Sequence, residues 1–154
     1  MRGIRISEQF KDLVEKLAQT HHREAGKSIF ATMRELVCFA AVLGFENERK
    51  HPLQSKTFEV DGRIYSNSQQ ALDLLYLICL AHSRDAEVLR EENEDASIEV
   101  FEEYAQGGFE ILEGWLREKP EDLNGDQAIL TALAKHKFLD APKNVVTATG
   151  EVAF

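Results

Sequence analysis

The segment from Ala71 to His82 most constrains the fold of this chain, because it is almost continuously apolar. Its large side chains leave no wide polar face on a helix: Leu72, Leu74, Leu75, Leu77, Ile78 and Leu80. A helix of this kind is normally buried on most sides. The stretch is too short to cross a bilayer, and Asp73 interrupts it. It therefore predicts the central helix of a helical core, capped at its start by Asn67 or Ser68.

Four more segments carry apolar residues at helical spacing. They run from about Ser7, a suitable N-cap, to His21; from the cap Ser28 to Gly44; from Ile98 to Leu116; and from Asp126 to Phe138. The long third segment contains Gly107-Gly108, and each glycine inside a helix costs about 1 kcal/mol relative to alanine. The glycine pair therefore predicts a kink or a close helix crossing.

Residues Thr57 to Ser66 carry a β signal. Asp61-Gly62 is a favoured pair for a type I′ turn, so the sequence predicts a short hairpin over about 57–66 that rests on the helices. The expected fold class is mainly α, a compact domain of about five helices with this one hairpin. We expect the domain to span residues 1–140 and residues 141–154 to form a C-terminal tail without a clear partner.

The chain has 154 residues, of which 44% are hydrophobic, enough for one core. The net charge is -9, and it is unevenly distributed. Residues 1–50 hold 9 basic and 7 acidic residues, net +2, whereas residues 51–154 hold 9 and 20, net -11. Only the N-terminal third offers DNA a favourable surface. Cys38 and Cys79 lie in apolar runs and are expected to be reduced core thiols. With no long apolar N-terminal segment, a cytoplasmic location is expected.

Motifs for phosphate cradling, dinucleotide binding, zinc proteolysis and serine hydrolysis are absent, so we expect no cofactor, no metal and no enzymatic activity. Three groups of residues remain as weak candidates. His21-His22 with Glu24 suggests metal ligands or a solvated helix end. His82 with Asp85 suggests an acid/base pair or a helix-end hydrogen bond. The third group is a solvated helix face or a site for a metal or a basic partner, formed by Glu99, Glu102, Glu103, Tyr104 and Glu110.

The N-terminal residues also resemble the layout of a ribbon-helix-helix DNA-binding protein. A strand at Arg2 to Ser7 would turn Ile4 and Ile6 to the core, and Gly3, Arg5 and Ser7 to DNA. Arg2, Arg5 and Ser7 are thus candidate nucleic-acid contacts. A capped helix with a basic tail explains the same residues.

Four segments, taken together, resemble the fourth family of small Dnd system-associated proteins. They are Arg5-Ile-Ser, Phe30-Ala-Thr-Met-Arg-Glu-Leu-Val-Cys-Phe-Ala-Ala-Val-Leu-Gly-Phe45, Arg49-Lys-His-Pro-Leu53 and Phe101-Glu-Glu-Tyr-Ala-Gln-Gly-Gly-Phe-Glu-Ile-Leu112. The resemblance runs from about residue 2 to about residue 133. Such proteins are encoded beside bacterial genes for DNA phosphorothioation, which places sulfur in the DNA backbone and supports a restriction response.

The resemblance implies a role in DNA modification and defence but assigns no catalytic residue. The preferred hypothesis is a non-enzymatic accessory or regulatory protein that contacts other proteins of the system. Its expected interaction surface is the family motif, with Glu102, Glu103, Tyr104, Gly107 and Gly108. The alternatives are a dimeric DNA-binding regulator that uses the basic N-terminal segment, and a metal-dependent hydrolase. A homo-oligomer is compatible with the first two.

Overall fold

A computed structural model of the protein describes residues 1–136 and, beyond them, the backbone of residues 145–146 and 152–153. Over residues 1–136, six α-helices accompany one two-stranded antiparallel sheet, which confirms the predicted mainly α fold. The elements are β1 (Ile4–Ser7), α1 (Lys11–Ala18), α2 (Met33–Glu46), β2 (Thr57–Val60), α3 (Gly62–Ser66), α4 (Gln69–Ser83), α5 (Glu94–Arg117) and α6 (Asp126–Lys135). Short 3₁₀ helices lie at Glu8–Phe10, Ala86–Leu89 and Glu91–Asn93, and β3 (Val145–Val146) pairs with β4 (Val152–Ala153).

The central helix of the core is α5, not α4. α5 contacts α2, α4, α6 and β1, and it buries large side chains on several sides, including Phe101, Phe109 and Leu112. By contrast, α4 lies on the outside and leaves 63% of Leu77 exposed. The prediction that residues 71–82 form the central helix is therefore wrong. An apolar composition favours burial, but it does not decide which helix the others can approach most closely.

Glycines give α5 its central position. A Cβ at Gly108 would overlap the carbonyl oxygen of Ala40, and a Cβ at Gly44 would overlap that of Tyr104. The backbones of α2 and α5 therefore touch, and these two helices make the largest contact in the fold. Of the two predictions for Gly107-Gly108, the close helix crossing is the one observed, since α5 is a single helix of 24 residues.

The predicted hairpin is only half present. Thr57–Val60 is a strand, but residues 62–66 form helix α3, and β2 pairs with β1, with Ile4 opposite Val60 and Ile6 opposite Phe58. Asp61 has a φ of -52°, so the type I′ turn is absent; its side chain instead accepts a hydrogen bond from the Arg63 N–H at 2.9 Å and caps α3. Gly62 is required because a Cβ there would overlap the carbonyl oxygens of Met1 and Arg2.

Helix boundaries follow the predicted caps in part. Ser68 caps α4 through its hydroxyl, as predicted. However, α2 is capped by Thr32 rather than Ser28. Ser7 precedes the 3₁₀ helix Glu8–Phe10 without making a side-chain cap hydrogen bond, and α1 begins after it at Lys11. The predicted end of the last helix at Phe138 lies outside the described residues, as do most of the residues of the predicted 141–154 tail.

Candidate functional site

A buried carboxylate joins the N-terminal strand to the middle of α5. The Glu102 side chain has no exposed surface, and it accepts hydrogen bonds from Arg2 Nη2 at 2.5 Å and from Arg5 Nε at 3.0 Å. The backbone N–H of Arg5 donates to the same carboxylate at 2.6 Å. Two cations and one amide therefore compensate this charge for the loss of water, as a buried carboxylate requires. The Glu102 carboxylate in turn raises the pKa of the Arg5 guanidinium, through the hydrogen bond and its charge.

A second buried contact lies one helical turn further along α5. The Ser7 hydroxyl donates to Gln106 Oε1 at 2.7 Å and accepts the backbone N–H of Gln54 at 3.0 Å. Both Ser7 and Gln106 are buried. The end of β1, α5 and the loop before β2 are thus joined by one small polar network.

The same side of α5 binds the loop that follows α2. His51 Nδ1 lies 2.6 Å from Glu110 Oε2, and Lys50 Nζ lies 3.3 Å from Glu103 Oε2. Glu102, Gln106 and Glu110 follow one another at intervals of four residues, so they form one stripe along the helix. We call this stripe the α5 polar stripe. Through these hydrogen bonds and ion pairs, its side chains connect α5 to β1 and to the loop of residues 49–54.

Arg2, Arg5 and Ser7, the three residues predicted to contact nucleic acid, all take part in these internal hydrogen bonds. Ser7 is fully buried, and Arg2 and Arg5 are directed to Glu102 while 30% and 41% of their side chains stay exposed. One edge of β1 pairs with β2 of the same chain, and the Arg5 N–H of the strand points to α5. The ribbon-helix-helix layout, with Ser7 facing DNA, is therefore not the observed arrangement. Ile4 and Ile6 do face the core, as predicted.

The predicted interaction surface lies largely in the interior of the molecule. Glu102 and Tyr104 are buried, and Gly107 and Gly108 contact the backbones of Arg49 and Ala40. Glu103 keeps 19% of its side chain exposed beside Lys50. In this fold the segment 101–112 determines how α5 packs against its neighbours.

Residues 3–147 match the family model described as DNA sulphur modification system-associated protein 4. The chain belongs to this family. The match confirms the resemblance found in the sequence and extends it beyond residue 133. No curated protein and no solved structure matches the chain significantly. Among the described parts of this DNA sulphur modification system-associated protein, no helix combines the length and apolar character needed to cross a bilayer.

In this family member, His22 from the candidate metal group and His82 from the candidate acid/base pair contact other residues than those predicted. His22 Nε2 lies 3.2 Å from Asp126 Oδ2, and its Nδ1 accepts the backbone N–H of Glu24. Over the described part of the chain, no three His, Cys, Asp or Glu side chains are grouped as metal ligands. His82 Nδ1 lies 2.8 Å from the Tyr104 hydroxyl, not beside Asp85, which instead caps a 3₁₀ helix. Burial raises the pKa of the Tyr104 hydroxyl.

Both cysteines are poor nucleophiles. Burial raises the pKa of each thiol to about 11, so the reactive thiolate is scarce at neutral pH. The Cys79 thiol also donates to the backbone oxygen of Ser97 at 3.0 Å. This agrees with the expected role of Cys79 as a core thiol, whereas Cys38 is only half-buried.

The sequence did not indicate the internal pairing of the α5 polar stripe or the outer face of α4. The four-residue spacing of Glu102, Gln106 and Glu110 was a usable signal for one polar helix face. The basic side chains that meet this face come from residues about 50 to 100 positions earlier, and no local pattern predicts them. A missed surface feature is a pair of cavities of 240 and 530 Å³, both lined by residues of α2 and α4.

Proposed function

We propose that this protein is a non-enzymatic accessory or regulatory protein of a bacterial DNA phosphorothioation-linked modification and restriction system, and that it acts through protein–protein contacts. Family membership supports the link to the system. The observation that carries the mode of action is the pairing of Arg2 and Arg5 with the buried Glu102. This pairing directs both arginines of the basic segment toward Glu102 and so reduces the positive charge that they offer to DNA.

The remaining charge also favours a protein partner over DNA. The chain carries -9 in total, and residues 51–154 carry -11 of formal charge against +2 for residues 1–50. Non-specific DNA affinity depends on cations that displace counterions from phosphates, so an acidic surface opposes it. An acidic surface is instead suited to a partner with basic residues.

DNA binding is tested with a fluorescent duplex of about 25 base pairs at about 50 and about 200 mM salt, conditions between which phosphate-mediated affinity changes strongly. Duplexes with and without phosphorothioate linkages are compared by anisotropy. We expect no binding that depends on salt. Binding that falls steeply with salt, and that Arg5→Ala abolishes while the control Arg63→Ala retains it, would favour the DNA-binding regulator instead. Arg63 is a fair control because it is also paired with a carboxylate, that of Asp61.

The protein–protein role is tested by co-expressing a tagged copy with the modification and restriction proteins encoded beside it. We expect at least one of them to co-purify in a fixed ratio at about 150 mM salt, where weak surface attraction is screened. The absence of any such complex would contradict the proposal. DNA cleavage by the isolated protein with added magnesium or manganese would favour the metal-dependent hydrolase.

A further inference from the structure

The larger of the two cavities, with a volume of 530 Å³, lies where helices α2 and α4 both end. Phe45 and Glu46 line it from the last turn of α2, and Ala81 and His82 line it from the last turn of α4. Its other lining residues are Glu48, Arg84 and Tyr104. We call it the helix-end cavity. Its volume lies within the range of sites that bind small ligands.

Three aromatic rings stand at steep angles to one another in the helix-end cavity. The Tyr104 ring lies 5.4 Å from that of Phe45, at an interplanar angle of 71°, and 5.5 Å from that of His82, at 78°. The Tyr104 hydroxyl also lies 2.8 Å from His82 Nδ1, which holds these two rings together. Aromatic rings attract organic cations because their faces carry partial negative charge. A group of three such rings is therefore suited to an ammonium or guanidinium group.

The charges around the helix-end cavity also favour a cation. Glu46 and Glu48 outnumber Arg84, and an ordinary histidine is mostly neutral above pH 7, so the lining side chains carry a formal charge of -1. Each of the two helices that end here adds about half a negative charge at its C-terminus. Within residues 1–136, neither Glu46, Glu48 nor Arg84 takes part in an ion pair. Arg84 is thus a lining group whose charge opposes a cation, and it is outweighed.

We propose that the helix-end cavity binds the side chain of an arginine from a protein partner. Glu46 and Glu48 pair with its charge, and the ring of Tyr104 packs against its guanidinium plane, which stacks on aromatic rings better than the ammonium group of lysine does. The nature of this ligand rests on the proposed function, because it places the contact with a basic partner at one site. The site itself is tested on the isolated protein, so its failure is distinct from a failure of the co-purification experiment.

The first test uses N-acetyl-arginine amide, which carries the arginine side chain without a free carboxylate. In a ¹⁵N NMR titration at about pH 7.5 and about 50 mM salt, we expect the backbone signals of Phe45, Glu46, Ala81 and His82 to shift. The expected dissociation constant is on the order of 1 mM, as for other ligands of this size. N-acetyl-citrulline amide has nearly the same shape but no charge, so it should bind at least about tenfold more weakly. Unmoved signals at these four residues, or equal binding of the citrulline compound, overturn the proposal.

Variants with matched controls test the charges of the lining. The double variant Glu46→Gln/Glu48→Gln should weaken binding of the arginine compound at least about tenfold, because both opposite charges are lost. The control Glu118→Gln/Glu121→Gln removes the same charge from two exposed side chains outside the cavity, and it should bind like the wild type. Arg84→Gln should bind more tightly, because the opposing charge is gone. A folded double variant at Glu46 and Glu48 that binds like the wild type, or weaker binding by Arg84→Gln, overturns the proposal.

A second pair of variants tests the aromatic rings. Phe45→Leu keeps an apolar side chain at the end of α2 but removes one ring, and it should weaken binding of the arginine compound about two- to fivefold. Phe39→Leu is the matched control, because Phe39 is another half-buried phenylalanine of α2 that does not line the cavity. Circular dichroism checks that both variants fold. Equal dissociation constants for the two folded variants overturn the role of the rings.

Discussion

A single carboxylate, that of Glu102, attaches the N-terminal strand to α5. Replacing Arg2 and Arg5 together by alanine would leave this buried charge with only the Arg5 N–H among its three partners. We expect the free energy of unfolding to fall by about 3–5 kcal/mol, the typical cost of removing the cations from a buried ion pair. Glu102→Gln should cost less, because it removes the buried charge, and the two arginines left without it keep 30% and 41% of their side chains in contact with water. Urea unfolding at pH 7 measures both.

The control for this pair of variants is Arg117→Ala, on the same helix α5. Arg117 pairs with Glu113 at 2.6 Å, but its side chain is 75% exposed. Exposed pairs of this kind contribute little to stability. A double variant at Arg2 and Arg5 no less stable than Arg117→Ala would mean that Glu102 does not need these cations.

Removing the hydroxyl group should affect the free energy of unfolding differently at Tyr65 and at Tyr104. Tyr65 is fully buried, and among the described residues its hydroxyl has no hydrogen-bond partner, whereas the Tyr104 hydroxyl lies 2.8 Å from His82. Tyr65→Phe should therefore leave the free energy of unfolding unchanged or raise it. Tyr104→Phe should lower it by about 1 kcal/mol through the lost hydrogen bond. Thermal unfolding of both variants compares them, and a larger loss for Tyr65→Phe would reveal an unrecognised partner.

At the level of elements, the α2–α5 contact depends on the missing side chain of Gly108. Gly108→Ala should force the two helices apart and lower the free energy of unfolding by about 1–3 kcal/mol, as overpacked contacts do. Gly114→Ala is the matched control in α5, because nothing lies within 4 Å of its Cβ position. That variant should be more stable by about 0.5–1 kcal/mol through helix propensity. Equal effects at both positions would contradict the close crossing.

Helix α6 is capped from a distance by Asp122. The carboxylate of Asp122 accepts the backbone N–H groups of Gly125 at 3.1 Å and Ala128 at 2.9 Å. Burial alone would raise the pKa of Asp122, but these hydrogen bonds outweigh it and hold the pKa below its ordinary value of 3.8. Asp122→Ala should therefore cost about 1 kcal/mol at pH 7, like the loss of a helix cap.

The pH dependence of this loss follows from the lowered pKa. Stability from Asp122 is fully present above the unfolded pKa near 3.8 and is lost as the pH falls through the lower folded pKa. The difference between wild type and Asp122→Ala should thus be constant from neutral pH to about pH 5 and shrink below the ordinary aspartate pKa. Urea unfolding at a series of pH values checks this, and a difference that grows in acid would contradict it.

For the molecule as a whole, residues close in sequence were predicted well and distant partners were not. The apolar spacing found the major helices, and the cap at Ser68 and the inward direction of Ile4 and Ile6 are confirmed. A short antiparallel sheet is present, but the second strand of the predicted hairpin was wrong, because β2 pairs with β1 from a much earlier part of the chain and residues 62–66 form α3. The prediction that α4 is the central helix was wrong because the glycines Gly44 and Gly108 let α2 and α5 approach each other most closely.

At the candidate site, too, the sequence identified the residues but not the distant residues that they contact. Glu102 was identified from a helix face rich in carboxylates, and Arg2 and Arg5 from a basic segment. Nothing in either pattern indicates that the two features meet, yet their meeting decides whether the arginines are available to DNA. A charge pattern thus identified the residues but not their partners.

The pairing of β1 with late parts of the chain has a consequence during protein synthesis. Residues 4–7 need β2 and then Glu102 and Gln106, which follow them by almost 100 positions. At roughly 5–20 residues per second, the ribosome adds those residues on the order of 5–20 s later. Throughout that interval Ile4 and Ile6 have no completed core to enter. β1 is thus synthesised well before the partners that hold it in place, and during that interval its apolar side chains are accessible to chaperones.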